Sequence, residues 1–132
     1  MNSKTIFLID DSEPDQYLWK YIIQELDDRI QVLQAYDGQE ALDLLLDTQI
    51  KPDVILLDLN MPGMDGFEFL ENYSDKFQND HSTIIIFSSS EQPKDQEKAA
   101  EFAFVKSYFI KPITKEKITD FLQKIIGGII HK

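Results

Sequence analysis

The stretch Asp53-Val54-Ile55-Leu56-Leu57-Asp58-Leu59-Asn60-Met61-Pro62-Gly63-Met64-Asp65-Gly66 decides how the rest of the chain reads. Val54 to Leu57 is an unbroken apolar run, preceded by Lys51-Pro52 and followed by Pro62-Gly63. A strand buried on both faces of a parallel sheet has this pattern. Asp58 falls where the strand runs out, at the carboxyl edge of the sheet. A breaker-rich loop follows at once, so Asp58 is expected to face a crevice, where open α/β sheets bind ligands. Taken alone, an acid there is equally an N-cap or a turn former. The ends of the other strands decide between these.

Upstream, Lys4 to Ile9 is a short β-rich run ending in Asp10-Asp11. Ser12-Glu13-Pro14 then reads as a helix start, a capping residue with proline in the first turn. Trp19, Ile22, Ile23 and Leu26 fall on one helical face, which makes Trp19 a core residue and not a ligand platform. Gln31 to Tyr36 is a weaker second strand. Asp37-Gly38-Gln39-Glu40 resembles a capping box, opening a helix marked by Ala41, Leu44, Leu45 and Thr48.

Downstream, Leu70, Tyr73 and Phe77 mark a third helix from about Gly66 to Gln78. Thr83 to Phe87 is a fourth strand, closed by Ser88-Ser89-Ser90. A fourth helix is expected with Ala99, Phe102 and Ala103 on one side. Ser107 to Ile110 is a fifth strand ending in Lys111-Pro112. Thr114 starts a fifth helix carrying Ile118, Phe121, Leu122 and Ile125, which Gly127-Gly128 is expected to end. A single domain over residues 1–127 with a short tail at 128–132 follows.

Strand and helix thus alternate five times. Crossovers of about 12–20 residues suit parallel strands joined by right-handed helical connections. The expected architecture is a doubly wound five-stranded parallel α/β sheet with helices on both faces, in the flavodoxin-like order 2-1-3-4-5. That order sets the ends of strands 1 and 3 side by side and brings Asp10, Asp11 and Asp58 together.

The 132 residues supply enough material for one sizeable core. An apolar share of 42% and a charged share of 28% are those of an ordinary globular protein. No apolar run approaches the roughly eighteen residues of a membrane span, and the N-terminus meets paired acids before a signal-peptide pattern completes. With no cysteine the chain has neither disulfides nor thiolate metal sites, which suits a cytoplasmic location. Its net charge of −11 repels phosphate backbones, and no basic stripe offsets it, so direct nucleic-acid binding is not expected.

Three carboxylates crowded at one sheet edge repel each other unless a cation is expected there. Oxygen donors without His or Cys, in an open crevice, favour Mg²⁺ over zinc. The ends of strands 4 and 5 add the Ser88 hydroxyl and the Lys111 ammonium. Acids that hold Mg²⁺, a lysine and a hydroxyl together form a phosphoryl-binding set, in which a carboxylate can itself be the nucleophile.

These residues resemble the receiver domain of two-component response regulators (CheY-like). The likeness rests on Asp10-Asp11, Asp58, Ser88 and Lys111-Pro112 at the ends of four strands, and on the loop from Asp58 to Gly66. It covers residues 4 to 126. It implies that Asp58 accepts a phosphoryl group from a histidine kinase or histidine phosphotransfer protein. Asp11, Asp58 and the backbone carbonyl of Asn60 would ligate Mg²⁺, with Asp10 acting largely through water. Lys111 would contact a phosphoryl oxygen, and Ser88 would swing its hydroxyl toward the phosphate. Tyr108 matches the family's switch aromatic, which remodels the surface of helix 4, strand 5 and helix 5. A cis Lys111–Pro112 bond and loop-shaping roles for Pro62 and Gly66 are also implied. Ser88 stands where threonine is commoner, and Ser89 where alanine is frequent. Ser90 and Asn60 occupy positions that tune dephosphorylation. No effector domain follows residue 126, which implies a single-domain regulator signalling by protein contact, as output or as a phosphorelay intermediate.

Plainer readings stand beside these. Ser88 belongs to a loop-like serine cluster, and an aromatic such as Tyr108 in a short strand is commonly packing. His81 and His131 read as surface residues. Phe102, Phe104 and Phe109 read as core or rim, or as part of a docking surface. Three other functions compete. An aspartate-nucleophile phosphatase of the haloacid dehalogenase type needs a general acid two residues after the nucleophile, where Asn60 stands. A dinucleotide-binding module needs glycines after strand 1, where the chain has Asp10-Asp11-Ser12-Glu13-Pro14. A pseudo-receiver scaffold would not need the acids. The chain is therefore expected to be no enzyme beyond self-phosphorylation and self-dephosphorylation at Asp58.

Overall fold

A computed structural model describes residues 4–48, 50–61, 63–77, 82–112 and 114–130, with the backbone alone at 48, 126 and 128–130. The expectations for Pro62, Gln78, His81 and His131, and for the side chain of Thr48, lie outside that description. In chain order the elements are β1 (Thr5–Ile9), α1 (Glu13–Leu26), β2 (Gln31–Ala35), α2 (Gly38–Thr48) and β3 (Val54–Asp58). They continue as α3 (Gly66–Lys76), β4 (Thr83–Ser88), α4 (Pro93–Ala100), β5 (Val105–Ile110) and α5 (Lys115–Ile130). The strands form one parallel sheet in the order β2-β1-β3-β4-β5.

The apolar runs bury both of their faces, as the continuous pattern requires. Phe7, Ile9, Ile55, Leu57, Ile84 and Ile86 point to one side, where α2, α3 and α4 supply Leu42, Leu45, Phe69, Leu70, Tyr73 and Ala99. Ile6, Leu8, Val54, Leu56, Ile85 and Phe87 point to the other, against Trp19, Ile22 and Ile23 of α1 and Ile118 and Leu122 of α5. Period-two alternation then assigns the strand-end residues. Asp10 and Asp58 continue the rows on the α1/α5 side, and Ser88 continues a row on the other.

Local chemistry sets most boundaries. The Ser12 hydroxyl accepts from the Asp15 backbone N–H and caps α1. Asp65, one residue before the expected start, caps α3 through the Glu68 N–H. The Asp37 carboxylate accepts from the Glu40 N–H, but the Glu40 carboxylate reaches Tyr36 N–H, one residue short of a true capping box.

Two expectations need correction. α4 ends at Ala100, so Phe102 and Ala103 lie beyond it in a turn. Phe104 enters the core instead, edge-on to Tyr73. α5 continues through Gly127-Gly128 to Ile130. A glycine inside a helix costs only about 1 kcal/mol, and Gly127 takes no left-handed conformation that would end it.

Candidate functional site

The carboxyl ends of β1 and β3 bring Asp10, Asp11 and Asp58 together, with one oxygen of each within 4.8 Å of the others. Asp10 and Asp58 are 6% and 5% exposed, while Asp11 faces solvent. The Asp10 carboxylate accepts from the Ser12 N–H at 2.9 Å, and that of Asp58 from the Asn60 N–H at 3.0 Å. These bonds turn the two acids toward a common crevice. The loop beyond β3 is held close. The Gly66 N–H donates to the Leu59 carbonyl, and a Cβ on Gly66 would stand 2.5 Å from the Leu59 Cα. Gly63, at φ +70, makes the turn before it.

Lys111 enters from the end of β5, where its N–H extends the ladder to the Ser88 carbonyl. Its ammonium lies 2.9 Å from Asp10, 3.0 Å from Asp15 and 3.7 Å from Asp58. The Lys111–Pro112 peptide bond is cis, as the resemblance implied.

The electrostatics follow from this packing. Burial pushes the Asp58 carboxyl up strongly. The Asn60 N–H and Lys111 pull it back, Asp10 and Asp11 push it up again, and the net result is about 7. Burial alone would lower Lys111, but the hydrogen bond to Asp10 and the charges of Asp10 and Asp58 outweigh it, so Lys111 sits above its ordinary value. A crowded oxygen-only donor set whose central carboxylate resists ionisation is one that a hard divalent cation relieves. The acids present fit Mg²⁺.

Ser88 is fully buried at the end of β4. Its Oγ accepts from Asn60 Nδ2 at 3.1 Å and from the Ser90 N–H at 3.0 Å. Asn60 Nδ2 also donates to Ser89 Oγ at 2.9 Å. The Tyr108 hydroxyl donates to the Ser90 carbonyl at 3.1 Å, and the Ser90 hydroxyl donates to Asp95 at the start of α4.

Two site residues escape a reading of the sequence alone. Asp15 looks like an ordinary first-turn acid of α1. Strand parity carried the signal, since it puts Asp10, Asp58 and Lys111 on the face that α1 covers. Gln16 is buried, and its Nε2 lies within hydrogen-bonding distance of the carbonyls of Leu8, Asp10 and Ala35, at 3.3, 3.0 and 2.8 Å. It ties the ends of β1 and β2 beneath the crevice. Only the tertiary arrangement creates that demand.

A five-stranded 2-1-3-4-5 sheet with three acids and a lysine at its carboxyl edge defines a flavodoxin-like α/β domain with an acidic crevice. The chain belongs to the response regulator receiver domain family, whose model matches residues 6–123. It is 30% identical over 128 residues to sporulation initiation phosphotransferase F of Bacillus subtilis, covering 96% of this chain and 95% of that one. It is 32% identical over 124 residues to the nitrate/nitrite response regulator protein NarL of Escherichia coli K12, covering 94% of this chain and 55% of the relative. The phosphorylated cyanobacterial phytochrome response regulator RcpA superposes with a TM-score of 0.83 at 25% identity, over 96% of this chain and 93% of that one. Among the described residues, no helix is long and apolar enough to cross a membrane.

Proposed function

We propose that the chain is a cytoplasmic response-regulator receiver that accepts a phosphoryl group on Asp58. The donor is a phosphohistidine on a histidine kinase or histidine phosphotransfer protein. The observation that carries this reading is the convergence of Asp10, Asp11 and Asp58 within 4.8 Å, with Lys111 against the same cluster. Asp11, Asp58 and the Asn60 carbonyl would hold Mg²⁺, with Asp10 assisting through water. Bound there, the ion would neutralise the crowded acids and the phosphoryl oxygens.

The chain's own groups do the rest. A carboxylate oxygen of Asp58 attacks phosphorus and forms the new P–O bond. The P–N bond breaks, and its electron pair returns to the imidazole ring, which is left neutral after proton exchange with solvent. Lys111 moves to a phosphoryl oxygen as negative charge develops. Ser88 leaves Asn60 to donate to another oxygen, which frees Ser90 and lets Tyr108 reorient. The changed face of α4, β5 and α5 then binds a protein target. Hydrolysis of the aspartyl phosphate resets the domain.

Asn60, whose amide group donates to two serines, is not a general acid, so turnover of external phosphate esters is expected to be absent. Intact mass after incubation with acetyl phosphate tests the proposal. One phosphoryl adduct is expected, dependent on both Mg²⁺ and Asp58. Labelling of Asp58→Asn at that site would sink it. A wild-type chain that binds Mg²⁺ yet takes no phosphoryl group would favour an interaction scaffold.

A further inference from the structure

We propose that Asp15 is a positioning residue that holds Lys111 in a resting place at the crevice mouth and sets how readily Asp58 is charged. The inference rests on the reading of Asp58 as the acceptor. The Lys111 ammonium lies 3.0 Å from Asp15 and 2.9 Å from Asp10, but 3.7 Å from Asp58. Its two short bonds therefore run to acids other than the acceptor.

Asp15 is fixed by the helix start and not by the crevice. The Ser12 hydroxyl takes its backbone N–H at 3.3 Å, and Pro14 sets the turn before it. An acid in a first turn is ordinarily explained by the helix dipole. That account does not require its carboxylate to reach a lysine just past β5, 96 residues away. The Asp15 side chain is 40% exposed, against 8% for Asp10. Asp15 is therefore the solvent-facing one of the two acids that hold the ammonium.

Two consequences act in the same direction. Lys111 gives up Asp15 before it can serve a phosphoryl oxygen, and an anionic donor meets one more negative charge at the mouth. Asp15 is not one of the three acids grouped for a metal ion, so its loss leaves the cation site complete. With an acyl phosphate as donor, Asp58 forms the P–O bond, the donor's P–O bond breaks, and the acylate leaves with the electron pair.

The test compares wild type, Asp15→Asn and Asp15→Glu with acetyl phosphate in saturating Mg²⁺, followed by intact mass. The donor concentration for half-maximal rate is expected to fall about fivefold in Asp15→Asn, the size of one partly screened charge interaction. Asp15→Glu keeps the charge and stays near wild type, and the gap closes at about 1 M salt. A residue that only starts the helix would lower Tm and leave the donor dependence unmoved. An unchanged or raised donor requirement in Asp15→Asn, with wild type charged normally, overturns the role of Asp15 alone. No adduct on wild type overturns the acceptor reading along with it.

Discussion

β3 and β5 both end in residues of the crevice, yet they are built differently. Every residue of β3 is buried, and it pairs with β1 and β4 in unbroken register. β5 is an edge strand, with no residue fully buried. Its register with β4 slips between Ile84 and Ile85, where Lys106 is the extra residue. The strands that seat the acids are thus rigid on both faces. The strand that carries Tyr108 and leads into Lys111 lies on a more exposed margin of the sheet. Truncation should expose the contrast. Phe7→Ala, in the middle of β1 with no exposed surface, is expected to cost about 4 kcal/mol. Phe109→Ala on β5, half-buried between Phe87 and Phe121, should cost about 2 kcal/mol. Equal losses in urea unfolding would dissolve the distinction.

The rigid half also stores electrostatic strain, which pH should reveal. Asp58 is pushed to about 7 in the fold by burial first and by Asp10 and Asp11 after it. In an unfolded chain it ionises at the ordinary carboxylate value of about 4. Between those values the folded state binds the extra proton, so its contribution to stability falls as pH rises and levels off above about 7. Asp58→Asn removes that slope. The variant is expected to match wild type near pH 4 and exceed it by about 2 kcal/mol near pH 8, allowing for solvent screening at the open mouth. Mg²⁺ should raise the wild-type Tm at the higher pH and raise that of the variant less. A stability difference independent of pH would show that the acids are not strained.

Legibility in the sequence divides along the same line. Strands buried on both faces write themselves as apolar runs, so β1, β3 and β4 could be read off, together with Asp10, Asp11, Asp58 and Ser88 at their ends. Lys111 came from its place after a fifth strand and from the family likeness, and its cis proline from the likeness alone. The margin was harder to read. α4 offers one buried residue, Ala99, too thin a stripe to show that Phe102 and Ala103 lie past its end. The two glycines of α5 looked like a stop because propensity is local, while the helix continues past them. Asp15 and Gln16 were invisible for a different reason. Their partners, Lys111 in one case and three backbone carbonyls in the other, become neighbours only when α1 docks on the sheet.

The smallest expected effect tests the exposed margin most directly. The Tyr108 hydroxyl donates to the Ser90 carbonyl, and its ring packs partly buried against the α2–α4 side of the sheet. Tyr108→Phe keeps the ring and removes one half-exposed hydrogen bond, so its cost should be about 0.5–1 kcal/mol. The Ser90 carbonyl can turn to water, which limits the penalty. Amide exchange should quicken from Ser88 to Gln92, while the amides of β1 and β3 keep their protection, because local opening at an edge need not spread to the centre. Exchange that rises across all five strands, or a loss well above about 2 kcal/mol, would mean that Tyr108 is locked into the common core. Such a residue would have no freedom to turn in the proposed switch, and the margin would then be as rigid as the strands that hold the acids.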